Sequence, residues 1–176
     1  RARRAIEAGS DDPLGAGAGA LARAFAESNA VRAAELADPE FGGKTGEELI
    51  SMTAPTHPLP GRPKPSGDTV GLSAVSADGW AISLINSVYY GFGAGIVEPN
   101  TGILFQNRGT SFSLDPASPN AFEPGKRPRH TLMPVLVQRG DELAWVPSTM
   151  GGSAQPQIHT QLLLRSLAGA TPAEAT

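Results

Sequence analysis

The fold is read from residues 67–90, GDTVGLSAVSADGWAISLINSVYY. From Thr69 to Ser76 the residues alternate, with Val70, Leu72 and Ala74 on one face and Gly71, Ser73 and Val75 on the other, the period of a β-strand. Ala77-Asp78-Gly79 supplies an Asp-Gly hairpin turn, and Trp80 to about Tyr90 returns as the antiparallel partner.

Immediately upstream, residues 53–68 carry Pro55, Pro58, Pro60, Pro63 and Pro65 with Gly61 and Gly67. Each proline lacks a backbone donor and its ring blocks the preceding turn, so this stretch reads as a stiff, extended connector. Long structureless segments of compact domains are functional or are linkers. Both readings stay open, as does a segment that docks in aromatic grooves. Further back, the spacing of Leu21, Ala24, Phe25, Val31 and Ala34 predicts a helix from about Gly19 to Ala37, ended by Asp38-Pro39. Thr45-Gly46-Glu47-Glu48 is a capping box opening a short helix through about Met52. Arg1, Arg3 and Arg4 read as a solvated face.

Downstream, Gly91, Gly93 and Gly95 punctuate a loop, Gly102–Gln106 reads as a short strand, and a polar loop runs from Asn107 to Pro128. Pro134–Gln138 and Leu143–Ser148 form a second hairpin around Arg139-Gly140-Asp141. A helix from about Gln155 to Leu167 is stopped by Gly169. Thr171-Pro172-Ala173-Glu174 starts another helix, and the sequence stops two residues after Glu174, which suggests a longer parent chain. Helices, connector, antiparallel strands, then helix is an α+β order, not the alternation of a parallel sheet.

Composition narrows the chemistry. A length of 176 residues suits one domain with a real core. The net charge of −3 gives no basic surface for nucleic acid. The absence of cysteine excludes disulfides, thiolate zinc sites and a cysteine nucleophile. No apolar run approaches the roughly 18 residues of a membrane-spanning helix. His57, His130 and His159 are dispersed without metal-ligand companions, so no metal site is expected. Gly91-Phe92-Gly93-Ala94-Gly95 opens no helix, and neither a phosphate loop nor a Gly-x-Ser-x-Gly elbow is present, so no cofactor is expected.

The remaining candidate is the boundary at Asp68-Thr69. If that bond were cut, Thr69 would carry both a hydroxyl and a free α-amine, whose pKa near 7.7–8.0 leaves a useful fraction unprotonated at neutral pH. One residue then holds nucleophile and general base together. The plain alternative is a threonine that simply opens a strand.

From Gly67 to Ser153 the chain resembles the γ-glutamyltransferase (γ-glutamyltranspeptidase) family of N-terminal-nucleophile hydrolases. The matching elements are Gly67-Asp68-Thr69 before the strand, Asp78-Gly79-x-Ala81-x-Ser83, Phe92-Gly93-x-Gly95-Ile96 and Gly102-Ile103-Leu104. They continue with Phe112-Ser113, Gly125-Lys126-Arg127-Pro128 and Gly151-Gly152-Ser153. The resemblance implies part of an αββα sandwich, and a precursor that cleaves itself between Asp68 and Thr69. Residues 1–52 would be the helical C-terminal part of the large subunit and 53–68 the connector to the processing site. Residues 69–176 would be the small, catalytic subunit, truncated at its C-terminus. The rest of the large subunit would then be the partner, and its absence should leave apolar sheet faces uncovered.

The resemblance also implies roles. Thr69 would form an acyl-ester with an amide substrate, and the backbone N–H groups of Gly151 and Gly152 would make the oxyanion hole. Paired glycines allow that approach, and a plain turn before a helix fits them equally well. Ser87 sits where the family usually has a second threonine supporting the nucleophile. Tyr89 replaces an asparagine. Ser111 stands where an acid normally binds the glutamyl α-amine, and His130 and Thr131 replace a Ser-Ser pair that holds the α-carboxylate. Arg108 adds a cation nearby. These departures point to an amidohydrolase or acylase branch, similar to oxamate amidohydrolases or cephalosporin acylases, acting on a small amide that lacks the γ-glutamyl α-amine. Arg108 as a surface charge and His130 as a structural histidine remain alternatives. So do an authentic glutathione hydrolase and a non-catalytic family fragment.

Overall fold

The computed structural model describes residues 12–53 and 69–176. The Arg1–Arg4 cluster, most of the proline-rich connector, His57 and Asp68 lie outside the described residues. Two compact units divide the chain, one combining Arg1–Pro63 with Gly109–His130, the other Lys64–Arg108 with Thr131–Thr176.

In the first unit, helix α1 (Ala18–Glu35) begins without a cap on Gly17. Asp12 takes over, its carboxylate accepting from the N–H groups of Gly15 and Ala16 at 2.8 and 3.2 Å. Leu21, Ala24, Ala30 and Val31 are its buried residues. Phe25 is half-buried, and Ala34, in the last turn, is exposed rather than core. Asp38 lies beyond the helix, which ends at Glu35 rather than at the expected Ala37. It caps a 3₁₀ turn, Pro39–Phe41, and accepts from Arg127 through N–H at 2.8 Å, Nε at 3.0 Å and Nη2 at 2.7 Å. The guanidinium and amide of Arg127 hold this buried carboxyl well below the usual carboxylate range. Arg129 Nη1 donates to the Ala33 carbonyl and Arg32 Nη2 to that of His130, so arginines tie the end of α1 to residues 127–130. Helix α2 (Gly46–Ser51) carries the expected capping box between Thr45 and Glu48.

In the second unit, β1 (Thr69–Val75) pairs antiparallel with β2 (Ala81–Ser87) in the register Thr69↔Ser87, Leu72↔Leu84, Val75↔Ala81. Gly79 takes φ of 91° in the turn, which its lack of Cβ allows. β2 is shorter than expected. It ends at Ser87 because Tyr89 enters the left-handed region, at φ of 80°, and breaks the ladder.

The strand expected at Gly102–Gln106 is reduced to a single bridge, Val97↔Leu104. Backbone bonds flank it, Phe105 N–H donating to the Ile96 carbonyl at 2.9 Å and Glu98 N–H to that of Ile103 at 2.9 Å. Asn107 holds the preceding loop, its Oδ1 accepting from Tyr90 N–H at 3.1 Å and its Nδ2 donating to the Gly93 carbonyl at 2.9 Å. The second hairpin is present but short, β3 (Val137–Arg139) against β4 (Glu142–Trp145). Helix α3 (Gln155–Leu167) has the expected bounds, and α4 (Pro172–Ala175) is capped by Thr171 and Glu174. The described elements are thus mixed α and β, as the resemblance implied.

The β1–β2 sheet has an unusual polarity. Ala81, Ser83, Ile85 and Ser87 are half-buried, whereas Ile82, Leu84 and Asn86 face out. Ser83 Oγ donates to the Pro147 carbonyl at 3.0 Å and accepts from Val135 N–H at 3.2 Å. Ser148 Oγ donates to the Leu84 carbonyl at 3.1 Å. The inward face is therefore held by hydroxyls, while Val70, Leu72, Ile82 and Leu84 lie exposed, as expected of an uncovered sheet face. Among the described residues, no helix is long and apolar enough to cross a membrane.

Candidate active site

The cross-strand pair Thr69↔Ser87 closes the open end of the first hairpin. Residues directly opposite in an antiparallel pair share a face, so their hydroxyls meet: Thr69 Oγ1 donates to Ser87 Oγ at 2.9 Å. Ser87 Oγ also accepts the N–H of Tyr89, at 3.1 Å. Tyr89 itself has a positive φ of 80°, which turns the chain away beyond that amide. A non-glycine residue held there stores backbone strain of order 1–3 kcal/mol, typical of functional turns.

Tyr89 in turn faces a cation. The Arg108 guanidinium carbon lies 4.9 Å from the centre of the Tyr89 ring, and Arg108 Nη1 donates to Thr131 Oγ1 at 3.0 Å. Arg108 is only 5% exposed, so it is not a surface charge. Burial lowers its pKa, with Tyr89 opposing the shift. A guanidinium titrates so far above neutrality that it stays charged.

Gly151 and Gly152 form the turn into α3, with φ of 133° and 53°. A Cβ on Gly151 would lie 2.7 Å from Ile158 Cδ1. The turn is close to the start of β1, because a Cβ on Gly71 would meet the Thr149 N at 2.7 Å and the Ser148 Oγ at 2.8 Å. Gly71 is two positions from Thr69, and Thr149 and Ser148 are two and three positions from Gly151.

The second unit therefore brings together Thr69, Ser87, Tyr89, Arg108 and Thr131 through successive contacts, with Gly151 and Gly152 joined to them through residues 148–149. Ser111 and His130 belong to the first unit. Ser111 Oγ donates to the Arg129 carbonyl at 3.1 Å, and the buried Asn120 links the same pair, Nδ2 to the Ser111 carbonyl at 2.7 Å and Oδ1 from Arg129 N–H at 3.1 Å. His130 is exposed and its carbonyl accepts from Arg32. Asp68 is outside the described residues.

Two buried residues of the second unit escaped the sequence reading. Gln155 and His159 lie one helical turn apart on α3, and both are buried. Their i, i+4 spacing was a visible signal that they share a face, but nothing in the sequence distinguished that face from the wet one. Among the described residues, no cluster of His, Cys, Asp or Glu could hold a metal ion.

Comparison with known proteins identifies the family. The gamma-glutamyltranspeptidase family profile matches residues 18–176. The oxamate amidohydrolase proenzyme of Klebsiella pneumoniae is 38% identical over 164 residues, covering 87% of this chain and 30% of that protein. A glutathione hydrolase-like proenzyme of Bacillus subtilis, YwrD, is also 38% identical, over 84% of this chain and 29% of its own length. The chain thus spans about 30% of these relatives. Among solved structures, the cephalosporin acylase of Bacillus halodurans superposes with a TM-score of 0.67 at 31% identity, covering 88% of this chain and 31% of that one. The gamma-glutamyltranspeptidase of Pseudomonas nitroreducens gives a TM-score of 0.55 at 28% identity, over 60% of each chain. With a family match over residues 18–176 and an acylase superposing over 88% of the chain, the chain belongs to the gamma-glutamyltranspeptidase family and carries part of its N-terminal-nucleophile hydrolase fold.

Proposed function

We propose that this chain is the processing and catalytic region of an autoprocessing amide hydrolase or acyltransferase whose nucleophile is Thr69. The observation that carries the reading is the 2.9 Å contact between Thr69 Oγ1 and Ser87 Oγ at the first residue of β1. In this reading residues 1–52 end the large subunit, 53–68 lead to the scissile Asp68–Thr69 bond, and 69–176 begin the small subunit. The remainder of the large subunit is its partner, in keeping with the proenzyme names of the relatives.

Cleavage converts the Thr69 amide nitrogen into a free amine. That amine takes the Oγ proton as the oxygen attacks the substrate carbonyl. The developing oxyanion is met by the Gly151 and Gly152 N–H groups, a stabilisation whose loss typically costs 10²–10³ in rate. Collapse breaks the C–N bond, the leaving amine carries away the proton, and an acyl ester remains on Thr69. Water or a second amine then attacks the ester and gives a proton to the Thr69 amine; the C–Oγ bond breaks, Oγ takes that proton back, and the acyl group leaves on the acceptor. Ser87 supports the nucleophile. Its Oγ accepts from Tyr89, and its own hydrogen can turn toward Thr69 Oγ once that oxygen has lost its proton.

The substrate is an amide with an anionic end and no neighbouring ammonium. Arg108, buried against Tyr89 and bonded to Thr131, is the cation that meets it. Ser111 provides no carboxylate for an α-amine, which disfavours a γ-glutamyl group. Tyr89 and Thr131 complete the proposed binding set within the second unit.

A mass spectrum tests the first half: the parent protein yields a chain starting at Thr69, and Thr69→Ala yields none. Kinetics test the second. Turnover of oxamate-like amides should exceed that of γ-glutamyl anilide. Efficient γ-glutamyl turnover would instead favour a glutathione hydrolase, the activity named for the Escherichia coli relative, which is 29% identical over 89% of this chain.

A further inference from the structure

Gln155 is bonded in two directions. Its own N–H donates to the Gly152 carbonyl, and its side-chain Oε1 accepts the Met133 N–H at 2.8 Å. Met133 is two residues from Thr131, the acceptor for Arg108 Nη1. One residue, through its backbone N–H on one side and its side chain on the other, therefore links the glycine turn to the segment that holds the arginine. Gln155 is 0% exposed, so neither bond is diluted by competition with water. His159, one turn on, is 5% exposed, and its ring faces the Met133 backbone without closing a hydrogen bond of good geometry. Burial lowers its pKa, so it packs beside Gln155 as a neutral ring.

We infer that Gln155 is a specificity-positioning residue that sets the distance between the Gly151-Gly152 turn and Arg108, and hence how far the substrate's carboxylate sits from its scissile carbonyl. The inference deepens the proposed function and rests on its assignment of Arg108 to the substrate's anionic end. Gln155 touches no reacting atom. Its effect is carried by Met133 and Thr131 to the guanidinium, and by Gly152 to the oxyanion donors. Losing the Met133 bond frees one end of the spacer while leaving Thr69 and Ser87 in place.

The test is a ligand-length series on the full-length protein. Oxalate, malonate and succinate, the acids left by hydrolysis of the corresponding amides, place the two carbonyl carbons progressively further apart, and calorimetry gives a dissociation constant for each because they hold no amide to cleave. The parent should prefer one length by about tenfold or more, and Gln155→Met should flatten that preference to within about threefold. Combined with Arg108→Met, Gln155→Met should add nothing further, because its effect acts through the arginine. If Gln155→Met does not fold, Gln155→Asn, which withdraws the acceptor by one methylene, supplies the same corner of the cycle. A uniform loss of affinity across the three lengths, an unchanged preference, or additivity with Arg108→Met overturns the inference. Mass spectrometry of the same samples keeps the two claims apart. A protein that is not cut before Thr69 contradicts the proposed function, while the length series still decides the role of Gln155.

Discussion

At the scale of single residues, the pairing of Thr69 with Ser87 is the most informative contact, because register alone creates it. A slip of one residue would send the two hydroxyls to opposite faces. Removing a partner from a hydrogen-bonded pair costs about 1–3 kcal/mol, roughly ten- to hundredfold in rate when the pair acts in the transition state. Ser87→Ala is therefore expected to slow the appearance of the Thr69-initiated chain and subsequent amide turnover by that factor, followed by timed mass spectrometry and product assay. Ser87→Thr, which keeps the hydroxyl, should stay near the parent. Equal rates in Ser87→Ala and the parent would show that this hydroxyl supports nothing.

At the scale of elements, legibility followed local chemistry. The capping boxes at Thr45 and Thr171 and the helix from Gln155 to Leu167 could be read directly, since caps and helical spacing involve neighbours in sequence. The hairpin at 69–87 was legible through Asp78-Gly79. Its far end was not, because Tyr89 adopts a backbone conformation that no propensity favours for tyrosine. Gly102–Gln106 had the composition of a strand, but its pairing with residues 94–98 amounts to one bridge, Val97↔Leu104, with a few flanking backbone bonds. In the candidate site, Thr69 and the glycine pair carried sequence signals, whereas the burial of Arg108 depends on partners distant in sequence.

Ser83 shows how far one such partner matters. Its hydroxyl serves both the Pro147 carbonyl and the Val135 N–H, fastening β2 to two other segments. Ser83→Ala should lower stability by about 1–3 kcal/mol in urea unfolding, since the buried Pro147 is left without that donor. A loss under about 0.5 kcal/mol, ordinary for a surface change, would refute the role.

At the scale of the whole molecule, the outer face of the β1–β2 sheet sets the strongest constraint. Leu72 and Leu84 are directly opposed on it, and Val70 is 63% exposed beside them. Fully burying a leucine side chain contributes about 1.5–3 kcal/mol, so a protein that leaves such a pair in water forgoes much of its available stability. Contiguous exposed apolar patches on soluble proteins mark surfaces that another element covers. If the proposed remainder of the large subunit is that element, one pair of substitutions must act oppositely in two settings. Leu72→Lys with Leu84→Lys should reduce self-association of residues 1–176, read by sedimentation, because charge replaces the adhesive face. In the full-length precursor the same pair should lower the urea midpoint and weaken association of the two subunits after cleavage, because two ammonium groups would be forced between layers. A precursor that tolerates both lysines with an unchanged midpoint would mean that this face stays wet in the assembled protein, and the sheet would not be an inner layer of the sandwich.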